Sequence, residues 1–167
     1  MNKEISKESA ERTYRMYVLV LRQLSPMQKG IQGAHAIVEY ANKYGDTDEY
    51  RVWSRVDKTI VMLDGGTNPD LKVIKESLGE NNVIFSEFKE EDLGNITTAI
   101  SLLADDRVFD RETHPDFEKW RLKKNHSITV YPDLKYNEDY KEWVDTVMGG
   151  EKNDFLRSLL CSKRLAQ

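Results

Sequence analysis

The chain has 167 residues, 39% hydrophobic and 32% charged, with a formal net charge of −4. That suits one ordinary domain with an appendage, and excludes a dedicated nucleic-acid wrapper while leaving room for a local cationic patch. Its longest apolar runs, such as "MYVLVL", fall far short of the roughly 20 residues that span a bilayer, and its single cysteine excludes a disulfide framework and a Cys-rich zinc site. The charged start "MNKEISKESAERTYR" lacks an apolar leader stretch, so a cytoplasmic protein without a membrane partner is expected. Charge is unevenly spread: residues 1–60 carry 10 Lys/Arg against 8 Asp/Glu, residues 61–107 carry 4 against 10, and residues 108–167 carry 11 of each. An anionic partner meets the first segment more readily than the second.

Residues 3–14 have helical character without an apolar stripe and read as an arm. "RMYVLVLR", 15–22, is a Val/Leu-rich run bracketed by arginines, the pattern of a buried strand. "SPMQ" opens a helix, with Ser25 as N-cap, Pro26 in the first position and Gln28 completing a capping box. It runs to about Tyr44 and stops at Gly45-Asp46. A short helix "TDEYRVWSRV" leads to the strand "KTIVMLDGG". "NPDLKVIKESLGEN" reads as a helix capped by Asn68, and "NVIFSEF" as a third strand. After the acidic turn "KEEDLGN" comes a fourth strand, "ITTAISLLA". This order predicts an α/β fold: a compact sandwich with a four-stranded mixed sheet flanked by helices. Boundaries fall at an arm of 1–13, a domain of 14–107 and a mostly helical extension of 108–167 packed on the domain. In the extension, "RETHPDFEKWRLKK", "NEDYKEWVDTVM" and "KNDFLRSLLCSKRL" read as helices and "SITVYP" as an extended piece. Its Trp120, Trp143 and Phe155 cover the sheet, form a dimer interface or dock a protein partner, and packing on the domain is the plainest of the three. Cys161 reads as a small buried hydrophobe.

The first long helix spends glycines at 30 and 33, each costing about 1 kcal/mol relative to Ala. On a helical wheel Met27, Ile31, Ala34, Val38 and Ala41 form a stripe toward the sheet, while Gln28, Gln32, His35 and Glu39 line one flank. Small residues then let the helix approach the sheet closely. His35 lies at the edge of the core, with one ring face packed and the other facing solvent. His114 and His126 read as surface residues, and the three histidines lack metal-ligand spacing. "SEFKEEDLGNITT" places carboxylates at a loop, where one within reach of an imidazole would orient it as a general base.

"YVLVLR", "QKGIQGAHAIVEY", "KTIVML", "VIFSEF" and "DLGNITTAISLL" together resemble the type-2 peptidyl-tRNA hydrolases over roughly residues 14–105. The most specific match is Q-x-x-H-A, Gln32 to Ala36. The resemblance implies a compact α/β sandwich on a four-stranded mixed sheet, commonly dimeric, that cleaves the ester between a peptide and the tRNA 3′ ribose without metal or cofactor. Carried over, His35 falls on the family histidine and Gln32 on its glutamine. Pro26 stands at the family lysine, leaving Lys29 as the nearest substitute, and "E-F-K-E-E-D" stands where the family has "D-A-G-R-T-Q", with Glu87 on the aspartate. His35, oriented by Glu87 or Asp92, is then the base, and Lys29 or the Gln32 amide the electrophile. Arg15 and Arg22, with Arg51, Arg55 and Lys58, grip phosphate, and Asn95, Thr97 and Thr98 complete the substrate site. The expected substrate is a tRNA-linked ester. Two rivals stand beside it: a non-catalytic binding module for RNA, a nucleotide or a protein, and a hydrolase of another ester or amide whose cationic substrate suits the acidic loop.

Overall fold

A computed structural model describes residues 4–125 and 134–167. In chain order these form α1 (Lys7–Ala10), β1 (Tyr14–Leu21), α2 (Pro26–Tyr44), α3 (Asp48–Val52), a π-helical turn (Trp53–Asp57), β2 (Ile60–Gly66), α4 (Asn68–Glu80), β3 (Phe85–Glu90), a 3-10 turn (Glu91–Leu93) and β4 (Ile96–Asp105). Then follow α5 (Asp106–Phe109), α6 (Phe117–Asn125), α7 (Leu134–Trp143), a second π-helical turn (Val144–Met148) and α8 (Glu151–Cys161). The "SITVYP" segment and His126 lie outside the described residues.

The four strands form a mixed sheet in the order β2-β1-β4-β3, with β1 parallel to β2 and antiparallel to β4, and β3 antiparallel to β4. The α/β class expected from the order of elements is the observed one. Strand alternation divides β1 between two cores. Tyr17, Leu19 and Leu21 join Leu71, Ile74 and Leu78 of α4 and Leu156 and Leu160 of α8 on one face. Met16, Val18 and Val20 join Ala36 and Tyr40 of α2 on the other. The C-terminal region therefore completes a core of the sheet itself.

The seating of α2 departs from the helical wheel. Met27, Ile31 and Val38 are 78%, 49% and 55% exposed, and the buried positions are Gln32, Gly33, Ala36 and Tyr40. The reason lies in the surface beneath. Thr98 hydroxyl donates to Gln32 Oε1 at 2.8 Å, and Ser101 hydroxyl to the Ala36 carbonyl at 2.8 Å. A sheet that offers buried hydroxyls there takes a polar partner, because an unmatched hydroxyl costs more than a lost methyl contact. Gly33 supplies the close approach: a Cβ there would sit 3.0 Å from Met62 Cε and 3.3 Å from Val18 Cγ1. Gly30 has nothing within 4 Å, so no packing requires it. The capping box of Ser25 and Gln28 forms as read, whereas α4 is capped by Thr67 rather than Asn68.

The arm is short and docked: the Ser6 N–H donates to Asp48 at 2.8 Å and Arg12 reaches Asp106 at 3.4 Å. Within the extension, Phe117, Trp143, Val144 and Met148 make a small core of their own. Arg157 ties it back, donating to Asp116 and to the carbonyls of Arg107 and His114. His114, expected at the surface, is half-buried instead, its ring 3.2 Å from Asp106. Cys161 is exposed rather than buried, because α8 turns its Leu156 and Leu160 face to the sheet and leaves Cys161 beside Arg111. After α8 the chain runs along the β2 edge: Leu165 bridges Leu63, the Asp64 N–H donates to the Arg164 carbonyl at 2.9 Å and the Ala166 N–H to the Met62 carbonyl at 3.0 Å.

Two substitutions separate the glycines. Gly30→Ala is expected to stabilise the protein by about 1 kcal/mol through helix propensity, and Gly33→Leu to destabilise it by about 1–3 kcal/mol through overpacking against Met62 and Val18. Urea unfolding of the two variants measures both.

Candidate functional site

The strand directions decide which residues can meet. β1, β2 and β3 all end at the edge of the sheet where β4 begins, and α2 and α4 start there. Open α/β sheets bind ligands beyond their strand carboxyl ends. Arg22, Lys29, Gln32, Glu87, Asp92, Asn95, Thr97 and Thr98 all belong to this end of the fold. Arg15 does not: it begins β1, about 23 Å from Arg22 at about 3.3 Å per residue, and its guanidinium lies 3.9 Å from the centre of the Phe109 ring. Arg51, Arg55 and Lys58 precede β2 and so also lie at the far end, where Arg51 faces Asp48 at 3.7 Å. The phosphate grip drawn from sequence is thus split between opposite ends of the sheet.

Within the carboxyl end, the two sheet faces separate the carboxylates. Phe88 pairs with Ala99 and Lys89 with Thr97, leaving Thr98 as an extra, bulged residue in β4. The bulge turns Thr98 to the α2 face while Thr97 faces α4. Thr98, fully buried, donates to Gln32 Oε1, and Gln32 Nε2 donates to Glu90 Oε2 at 2.6 Å. The Gln32 amide is therefore clamped at both ends. Next to it the His35 ring lies on Phe88, centroids 4.5 Å apart and planes 16° from parallel. His35 is exposed, so one imidazole face is packed and the rest is open to solvent.

Glu87 belongs to the other face. Its Oε2 accepts from Lys75 Nζ of α4 at 2.7 Å and from the Thr97 hydroxyl at 2.7 Å, and Lys89 Nζ lies 3.6 Å from Oε1. Burial pushes the Glu87 carboxyl up, but the bonds from Lys75 and Thr97 and the charges of Lys75 and Lys89 outweigh it and hold it below the ordinary glutamate value. Glu87 and His35 are thus not brought together. Asp92 is exposed in the 3-10 turn, and Asn95, in a left-handed conformation at φ 61°, closes that turn by donating its N–H to the Glu90 carbonyl at 2.9 Å. Lys29 Nζ donates to the Gln167 carbonyl at 2.6 Å, and Arg22 Nε to Asp64 at 2.8 Å.

Sequence reasoning missed Glu90 as the carboxylate on the α2 face and Phe88 as the platform for His35. Both stand in the acidic stretch it singled out, and strand alternation from Glu87 would have put Phe88 on the opposite face from Glu87. The bulge that aims Thr98 has no comparable signal. No family model matches the chain, and no curated protein matches it in sequence. Among the described residues no group of three or more His, Cys, Asp or Glu side chains is placed to hold a metal ion, and no helix is long and apolar enough to cross a membrane.

Two measurements check this arrangement. Thr98→Val leaves Gln32 Oε1 buried without its donor and is expected to destabilise by about 1–3 kcal/mol in chemical denaturation. Because the Glu87 carboxyl is depressed in the folded state, its contribution is present above the unfolded glutamate value and lost as pH falls through the folded one. Stability between pH 6 and pH 3, an interval of about three units around the ordinary carboxylate range, is therefore expected to fall less steeply in Glu87→Gln than in the wild type.

Proposed function

We propose that the protein hydrolyses the ester joining a peptidyl or aminoacyl group to tRNA, with His35 as the base that activates water. One observation carries this reading: a solvent-open imidazole, fixed on Phe88, stands beside the clamped Gln32–Thr98–Glu90 set at the sheet end where Arg22 and Lys29 also lie. His35 takes a proton from water as the water oxygen bonds to the ester carbonyl carbon. The oxyanion formed is stabilised by the second N–H of the Gln32 amide or by Lys29, once Lys29 exchanges its bond to Gln167 for the substrate. The bond from carbonyl carbon to ribose oxygen then breaks, the ribose oxygen takes the proton from His35, and a carboxylic acid and free tRNA leave. The acidic loop opposes phosphate less than its composition suggests, since Lys75 and Lys89 offset Glu87.

The non-catalytic binding module is favoured by one specific feature: His35 donates no hydrogen bond to a carboxylate among the described residues, and Lys29 is already engaged. An N-blocked aminoacyl-tRNA separates the two. Release of deacylated tRNA by the wild type, falling about 100-fold or more in His35→Ala as expected for loss of a general base, supports hydrolysis. Binding of the tRNA without release, or equal release by both proteins, sinks it.

A further inference from the structure

We infer a second site, for a nucleoside monophosphate, beyond the carboxyl ends of β1 and β2 where the chain after α8 crosses them. A cleft of about 630 Å³ opens there, lined by Arg22, Gly65, Gly66, Ser162, Lys163 and Arg164 together with two carboxylates. The chain after α8 builds one wall of it: pairing with β2 through the Arg164 carbonyl and Ala166 N–H sets Lys163 and Arg164 over the strand ends. Neither Lys163 nor Arg164 forms an ion pair with a described residue, and of the Arg22 guanidinium only Nε is engaged.

Of the two carboxylates in the cleft, Asp64 is engaged through both oxygens and Asp70 through one. Asp64 accepts Arg22 Nε and the Gly66 N–H, each at 2.8 Å. Asp70 Oδ2 accepts the Thr67 N–H and hydroxyl, each at 2.7 Å, leaving Oδ1 without a partner among the described residues. Three cations against two carboxylates leave the cleft one positive charge in excess, and Lys163 and Arg164, free of ion pairs to described residues, are the charges a phosphate would meet.

A groove of about 290 Å³ between α4 and α8 adjoins the cleft, sharing Asp70 and Lys163 with it and walled by Val73, Ile74, Phe155 and Leu159. Val73 is exposed there. The ligand that fits both therefore carries a phosphate at one end and a flat apolar body at the other, with Asp70 between them. In a nucleoside monophosphate the ribose occupies that middle position, and a carboxylate oxygen accepts from a ribose hydroxyl. The phosphate meets Arg22, Lys163 and Arg164, and the base lies in the groove against Phe155. The site does not rest on the ester-hydrolase reading.

Isothermal titration of the full chain with adenosine monophosphate, adenosine and inorganic phosphate tests it, with circular dichroism to establish folding of each variant. The monophosphate is expected to bind one to one, at least tenfold more tightly than adenosine or inorganic phosphate. Lys163→Gln with Arg164→Gln is expected to weaken it at least tenfold, and Val73→Glu to weaken the monophosphate while leaving inorganic phosphate unchanged. Equal affinity for inorganic phosphate and the monophosphate overturns the groove as a base site. Absence of binding by any phosphate probe, or binding unmoved by the double substitution in folded protein, overturns the site altogether. So does tighter binding of a single-stranded oligoribonucleotide that Val73→Glu leaves intact, since that describes a backbone track rather than a nucleotide pocket.

Discussion

The contact of α2 with the sheet governs most of what lies at the carboxyl end. Gly33 allows the helix to lie within touching distance of Met62 and Val18. Only at that distance do the buried hydroxyls of Thr98 and Ser101 reach Gln32 and the Ala36 carbonyl. These bonds in turn fix the rotation of α2 about its axis, since turning it to bury Met27, Ile31 and Val38 would leave the Ser101 hydroxyl without its acceptor and Thr98 with only the 3.3 Å contact to the Phe88 carbonyl. His35 follows from that rotation. Placed three residues beyond Gln32, it emerges at the margin of the contact and lies on Phe88 rather than in the core.

The second constraint is the parity of β3. Because side chains alternate, Glu87 must face α4 if Phe88 faces α2, and Lys75 receives it there. The bulge in β4 keeps Thr98 on the same face as Ala99 and so reverses the parity that follows, bringing Thr98 to Gln32 and Thr97 to Glu87. The acidic stretch thereby divides into a neutralised pair under α4, a carboxylate on the α2 amide at Glu90, and exposed charge in the turn. Treated as one cluster it repels phosphate; divided this way, much of its charge is balanced locally.

The C-terminal region has a structural part and a site-forming part. Leu156 and Leu160 fill the α4-side core, and Asn153 and Arg157 fasten α8 to Asp105, Asp116 and the Arg107 and His114 carbonyls. The residues after α8 cover the exposed edge of β2, which satisfies backbone groups that an open edge strand would present to other chains. In doing so they carry Lys163 and Arg164 to the strand ends.

Element type and order were legible in the sequence because they follow from local signals. The Val/Leu run of β1, the Ser25–Gln28 box, the Gly pair closing β2 and the amphipathic pattern of α8 each act within a few residues, and together they point to a mixed four-stranded α/β fold. That Gln32 and His35 follow the end of β1 was legible too, since it needs only chain order; the direction of β4, which brings Thr97 and Thr98 to the same end, was not. The tertiary structure alone decided how α2 is rotated, which face holds Glu87, that Arg15 and Arg22 stand at opposite ends, and that the chain after α8 pairs with β2. Each depends on what lies across the contact: a hydroxyl under a helix, a bulge in a neighbouring strand, an edge awaiting a partner. No window of the sequence contains both sides of such a contact, so its outcome is settled only when the chain has folded.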